Sequence, residues 1–406
     1  MASALVNIAP RATRIVAAGR SRSCFSAPSA AAVAAAVGAR SYSASRSVSA
    51  VGDPGSGYRV HDPMIPTCDD EGNVLFHHTP DPKTVSIIGA PMTFGQPFVG
   101  TDHGPRLLRE AGLLSDLSTL GWRVHDCSDL DFDLLSSGVP SLPSSGDAKR
   151  YADRARHSRI VGKGCQVLAD RVEDELNKGR FPLILGGDHS VGLGSLSGIL
   201  RVRPNVGVIW VDAHADLNTP SMSESGNMHG MPVGLLMAGL EDELDRATIP
   251  GLEWLSDGDV SPAPRLNPDS IVYVGLRDVD RAERSALRQL NIRTFTMHDI
   301  DCHGIGAVMS MALEHLLQSD PDRPLHLSYD IDAIDPVHAP ATGTAVRGGL
   351  TYREAHYIAE SVARSGALGS VEMVELNPTL SDGEGSRETV ELGLGVLTSL
   401  FGKSII

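Results

Sequence analysis

Apolar residues along the chain fall into short continuous runs separated by longer amphipathic stretches, and the two alternate from residue 84 to about residue 403. Six runs have strand length and are rich in Val and Ile: TVSIIGA (84–90), FPLILGG (181–187), VGVIWVDAH (206–214), SIVYVGLRD (270–278), PLHLSYDID (324–332) and GSVEMVELN (369–377). Unbroken apolar runs of this length suit parallel strands buried on both faces. The stretches 148–176, 281–290 and 353–365 read as helices. Strand then helix, repeated, predicts a single α/β domain with a mostly parallel central sheet, right-handed crossovers and helices on both faces. Such sheets bind their ligands beyond the carboxyl ends of the strands.

Four of the runs end in polar groups. They lead into Asp188, His189 and Ser190; into Asp212, His214 and Asp216; into Asp330, Asp332 and Asp335; and into Glu372, Glu375 and Asn377. Residues two apart on a strand project to one side, so Asp212, His214 and Asp216 converge, as do Asp330 and Asp332. Two imidazoles and several carboxylates on one rim would repel and be costly to desolvate. Divalent cations relieve both problems, and this many anionic oxygens is better balanced by two ions than by one. A lone Asp after a strand is commonly a helix cap or turn former, which is a sufficient reading of Asp188 and Asp335. Nitrogen and oxygen donors without thiolate suit Mn²⁺, with Fe²⁺, Co²⁺ and Ni²⁺ left open.

Composition narrows the partners. Among 406 residues, 50 are acidic and 35 basic, a net charge of −15, which argues against nucleic acid or an anionic membrane. No apolar stretch is long enough to span a bilayer. Cys24, Cys68, Cys127, Cys165 and Cys302 are scattered, which reads as reduced thiols and not as a disulfide framework. Residues 1–52 contain no Asp, Glu or Lys but carry Arg11, Arg14, Arg20, Arg22, Arg40 and Arg46 among Ala and Ser. That composition predicts an organelle transit peptide, mitochondrial before plastid. Residues 53–83, rich in Pro, Gly and Asp, read as an extended lead-in, and 84–406 as the α/β domain.

GGDHS (186–190), DAHAD (212–216) and SYDIDAIDP (328–336) together resemble the ureohydrolases, which cleave guanidino groups at a two-manganese centre. SGNMHG (225–230), GLRDVD (275–280), ATGT (341–344), GGLTYREAHYI (348–358) and VELNP (374–378) are similar to arginase in particular. The resemblance covers about residues 84–402 and implies an arginase-like fold with two Mn²⁺ per chain. By the same resemblance, His189 and Asp216 ligate one metal, His214 and Asp332 the other, and Asp212 and Asp330 bridge them. The reaction it implies is hydrolysis of L-arginine to L-ornithine and urea by a hydroxide shared between the metals, in a homotrimer or homohexamer. His229 matches the proton shuttle, and Glu375 the carboxylate that meets the guanidinium. Asn218, Ser225 and Asn227 match positions that bind the substrate carboxylate; Asp280 and Glu283 match acidic residues near its ammonium; Thr344 matches a further substrate-side position. The nearest alternative is an agmatinase or another guanidino-acid ureohydrolase with the same metals.

Other signals have simpler readings. Gly192, Gly194 and Gly198 lie in a helix-like run and lack the dinucleotide-binding spacing, so they read as packing glycines. The polar run from Met297 to His303 opens a helix, where Asp residues favour the dipole.

Overall fold

Within the residues that the computed structural model describes (68–69, 72–81, 83–132, 154–240, 248–256 and 263–404), all six apolar runs form strands. They are β1 (Thr84–Ala90), β3 (Phe181–Gly186), β4 (Gly207–Val211), β5 (Ile271–Leu276), β7 (Leu325–Asp330) and β8 (Leu368–Val374), and every residue in them is buried. Two further strands, β2 (Arg123–Asp129) and β6 (Arg293–Thr296), have no apolar run behind them. They sit at the two edges of one eight-stranded sheet, in the order β2-β1-β3-β8-β7-β4-β5-β6. An edge strand buries less of itself, and β2 alternates mainly between exposed and half-buried residues. Every pair of neighbouring strands is parallel, as expected. The transit-peptide segment and most of the lead-in lie outside the described residues.

Alternate residues of the central strands enter two separate cores. Ile87, Leu183, Leu185, Ile209 and Val211 face one, and Ile88, Ile184, Val208 and Trp210 face the other. The first core is closed by α1 (Gly104–Glu110), α2 (Leu113–Thr119), α7 (Met297–Leu317), α8 (Tyr352–Arg364) and α9 (Gly383–Leu400). The second is closed by α3 (Ser158–Asn177), α4 (Val191–Val202), α5 (Pro232–Leu236) and α6 (Arg281–Gln289). The result is three layers, helices on both faces of the sheet.

Local chemistry explains several boundaries. Of the helix expected over 148–176, residues 148–153 lie outside the described residues; α3 starts at Ser158, directly after His157, whose φ of 57° is left-handed. The acidic run at 297–303 opens α7 as a cap: Asp299 Oδ2 accepts from the Thr296 backbone N–H at 2.8 Å, and Asp299 N–H donates to Thr296 Oγ1 at 3.3 Å. The packing glycines also behave as read. A Cβ built on Gly194 would lie 2.6 Å from the carbonyl oxygen of Cys165, and one on Gly198 would lie 2.4 Å from that of Ala169. These two positions let α4 approach the backbone of α3. Gly198→Val should therefore overpack this contact and cost roughly 1–3 kcal/mol, measured by urea denaturation against Lys163→Ala on the exposed side of α3. Equal stability of the two variants would remove the packing role.

Candidate metal centre and active site

The metal-type residues gather where four adjacent strands end. His189 follows β3, Asp212, His214 and Asp216 follow β4, Asp330 ends β7 with Asp332 just after it, and Glu375 follows β8. β3, β8, β7 and β4 are consecutive in the sheet although β3 and β4 are consecutive in the chain. That reversal of strand order opens a crevice at the carboxyl edge. The pairings Trp210↔Ser328 and Val211↔Tyr329 bring the following residues, Asp212 and Asp330, to the rim side by side.

His189 Nδ1 lies 3.1 Å from Asp212 Oδ2, 2.9 Å from Asp216 Oδ2 and 3.0 Å from Asp330 Oδ2. His214 Nδ1 lies 3.4 Å from Asp212 Oδ1 and 3.0 Å from Asp332 Oδ2. One ring nitrogen cannot bond three carboxylates. His189 Nδ1 and Asp216 Oδ2, both buried, have no hydrogen-bond partner of acceptable geometry. Two groups of donors close enough to share an ion, His189–Asp212–Asp216 and Asp212–His214–Asp332, have Asp212 in common. Orphaned donors around a point surrounded by carboxylates fit a divalent cation, and the nitrogen and oxygen set without thiolate fits a hard or borderline one.

The electrostatics report the same strain. Burial, with Asp212 alongside, pushes the Asp216 carboxyl up to about 6. Burial and neighbouring carboxylates raise Asp330 and Asp332 as well. Asp212 moves the other way despite its burial, because His189 and His214 hold it ionised. Burial would lower both imidazoles, but the surrounding carboxylates raise them well above the ordinary range. The pocket recruits positive charge from whatever is near.

His229, Glu375, Asn218, Ser225, Asn227, Asp280, Glu283 and Thr344 all line one cavity of about 140 Å³, together with His189, His214, Asp216 and Asp330. Their bonding differs from residue to residue. His229, in a 3-10 turn after the SGN loop, lies with Nδ1 3.2 Å from Glu375 Oε1. Burial lowers its pKa, but the Glu375 carboxylate outweighs this and holds the ring above its ordinary value. Asn218 Nδ2 donates to Asp280 Oδ2 at 3.0 Å, and its buried Oδ1 has no partner. Glu283 accepts from Leu217 N–H and Asp280 N–H, both at 2.9 Å, so its oxygens tie two loops together at the cavity wall. Thr344 Oγ1 donates to Asp332 Oδ2 at 2.9 Å. Ser225 Oγ accepts from Asn227 N–H at 3.2 Å, so this hydroxyl also shapes its own turn. Asp335, as read, is a turn former, accepting from the Val337, Gly348 and Gly349 N–H groups.

Several residues of the site were not singled out by the sequence. Trp210 stacks on the His189 ring, centroids 4.2 Å apart at 8°, and its Nε1 donates to Asp212 Oδ2 at 3.0 Å. Ser328 Oγ lies 2.8 Å from His189 Nε2, which leaves Nδ1 to face the carboxylates. Strand alternation could have found both, since Trp210 is two residues before Asp212 and Ser328 two before Asp330. Ser223 and Asp278 also line the cavity. Gln96, after β1, donates to Glu375 Oε2 at 2.6 Å, and only tertiary structure reveals it. A third cluster, His125–Cys127–Glu175, lies elsewhere. Glu175 is already satisfied there by Ser86, Lys178 and Arg180, which overcome its burial and pull it down to about 2.

Comparison with known proteins agrees with this geometry. The model of the Arginase family matches residues 83–402. An arginase of Glaciozyma antarctica (strain PI12) is 42% identical over 325 residues, covering 80% of this chain and 89% of its own. The Homo sapiens protein named "Arginase-2, mitochondrial" is 43% identical over 322 residues, covering 79% and 85%. The native arginase structure from Bacillus caldovelox superposes with a TM-score of 0.69 at 35% identity, covering 80% of this chain and all of that one. Fold, site and relatives agree: the chain belongs to the arginase family.

Proposed function

We infer that the protein hydrolyses the guanidino group of L-arginine, giving L-ornithine and urea. The observation that carries this reading is the joining, at one cavity, of a His and Asp donor cluster to a buried carboxylate and an imidazole bonded to each other. His189, Asp212, Asp216 and Asp330 would hold one divalent ion, and His214 and Asp332 a second, with Asp212 and Asp330 shared. Two Mn²⁺ is the count and identity that the family resemblance supports. When bound, such a pair supplies Lewis acidity that makes a water nucleophilic near neutral pH.

The remaining work falls to the protein's own side chains. A guanidinium is a resonance-stabilised cation, and Glu375, 1% exposed, offers it an anion where few waters compete. The leaving amine needs a proton as its C–N bond breaks. His229 lines the cavity, and Glu375 keeps it protonated to a higher pH than a free imidazole, so it can deliver that proton. At the far end, Asn218, Ser225 and Asn227 bind the α-carboxylate and Asp280 receives the α-ammonium. Glu283 acts there by holding the Leu217 and Asp280 backbones in place. A homotrimer or homohexamer and a mitochondrial address belong to the same reading. The acid-free, Arg-rich first 52 residues support the address, as does likeness to a relative named mitochondrial.

Metal analysis of the Mn²⁺-saturated protein should find two ions per chain, with Asp212→Ala or Asp330→Ala depleting both and His214→Ala chiefly one. One tightly held ion in the unsubstituted protein would defeat the two-metal assignment. His229→Ala should keep its metals and its affinity for L-ornithine but lose roughly 10²–10⁴-fold in kcat, the scale of a positioned acid or base. Free imidazole should restore part of the loss, and an unchanged kcat would reassign His229 to structure. L-Arginine should exceed agmatine in kcat/KM by at least roughly 10³-fold, because donors built for a carboxylate are left unpaired by an analogue lacking it. Equal turnover of the two would replace arginase by agmatinase while leaving the metal chemistry intact.

A further inference from the structure

Glu375 meets three donors from three parts of the chain. Its Oε1 accepts the His189 backbone N–H at 2.9 Å and faces His229 Nδ1 at 3.2 Å. Its Oε2 accepts from Gln96 Nε2 at 2.6 Å. A carboxylate has about four lone-pair sites, two on each oxygen. Both sites on Oε1 are taken when the imidazole carries its proton on Nδ1. A guanidinium entering the cavity must therefore be met by the remaining site on Oε2, the oxygen that Gln96 holds.

The seat of Gln96 is built for this contact. The side chain is buried, the residue being 6% exposed, and it does not line the cavity itself. Its own Oε1 packs towards Gly343, where an added Cβ would come within 2.6 Å of it and push on the amide. The backbone beside it is pinned twice. Gly95 N–H donates to Asp188 Oδ2 at 2.8 Å, and the Gly95 carbonyl accepts from His229 N–H at 3.1 Å. Pro97 restricts Gln96 to an extended backbone from the other side. Asp188 thus does more than form a turn: it anchors the loop that carries Gln96.

We propose that Gln96 is a positioning residue for the reaction, fixing the direction in which Glu375 presents its free acceptor to the substrate guanidinium. The proposal rests on the arginase reading above. It separates the guanidinium end of the substrate from the amino-acid end, and L-ornithine, which has only the latter, serves as the control.

The experiment compares the full-length, Mn²⁺-loaded protein with Gln96→Met, which keeps volume and loses the donor, and Gln96→Glu, which keeps shape and sets a carboxylate against Glu375. KM for L-arginine should rise roughly 10- to 100-fold, the span of one hydrogen bond to a charged group, with kcat falling less. Inhibition by L-ornithine should stay within about twofold, and metal content should not change. Gln96→Glu should shift KM at least as far as Gln96→Met, and it decides the matter if the methionine variant fails to fold. Unchanged KM and kcat for L-arginine would overturn the proposal. So would a loss of ornithine affinity matching that of arginine, because that is what general distortion of the cavity produces. Absence of urea release from L-arginine by the unsubstituted protein, with agmatine turned over, would defeat the arginase reading alone. The same comparison, read on the KM for agmatine, then decides the role of Gln96.

Discussion

Asp212, Asp216, Asp330 and Asp332 are all buried within reach of one another, and like charges out of water are tolerated only if cations or protons meet them. The cost of an unpaired buried ion is several kcal/mol, a large share of the margin by which a domain is stable. His189 and His214 supply the positive charge that the protein itself can offer, and both are driven towards the protonated form by it. Metal binding is the other way to meet this charge. A site so arranged has paid for its cations in advance, through a core stable enough to hold the carboxylates together.

That stability comes from the layers on either side of the sheet. The strands that carry the ligands are central, and every residue in them is buried, so the rim at their ends cannot spread to relieve repulsion. Six consecutive strands of the sheet, β1-β3-β8-β7-β4-β5, each pass into a loop that contributes to the site. Arg277 ties several of these loops together. Its guanidinium donates to the carbonyls of Asp332, Ala333 and Val346, linking the start of the β5 loop to the metal-side turn and to the loop that carries Thr344.

Strain is concentrated in the same place. Among the described residues only a few that are not glycine have positive φ, and two of them, Asp216 at 49° and Glu375 at 66°, are in the site. Such conformations cost about 1–3 kcal/mol each and persist where surrounding contacts over-determine them. For Glu375 those contacts are visible: its backbone N–H donates to the Gly187 carbonyl at 2.8 Å, and its side chain is held from three directions.

Residue order along the chain is enough to place the central strands, the layers and the chemistry of the rim. A strand buried on both faces must be apolar throughout, so polar groups at its end stand out, as DAHAD does after GVIWV. Edge strands escaped the same reading because they have water on one side: nothing in Arg123–Asp129 separates it from a polar loop. How the polar groups share their bonds follows from the three-dimensional packing. Glu283 offers acceptors and Ser225 a hydroxyl in any reading, but the backbone N–H groups that Glu283 meets depend on which loops the sheet order sets side by side. Gln96 is 279 residues from the carboxylate it holds, in a turn whose composition marks nothing. Local pattern records what a residue is and how its neighbours are spaced; pairing across the sheet depends on strand order, which is set by the packing of the whole domain.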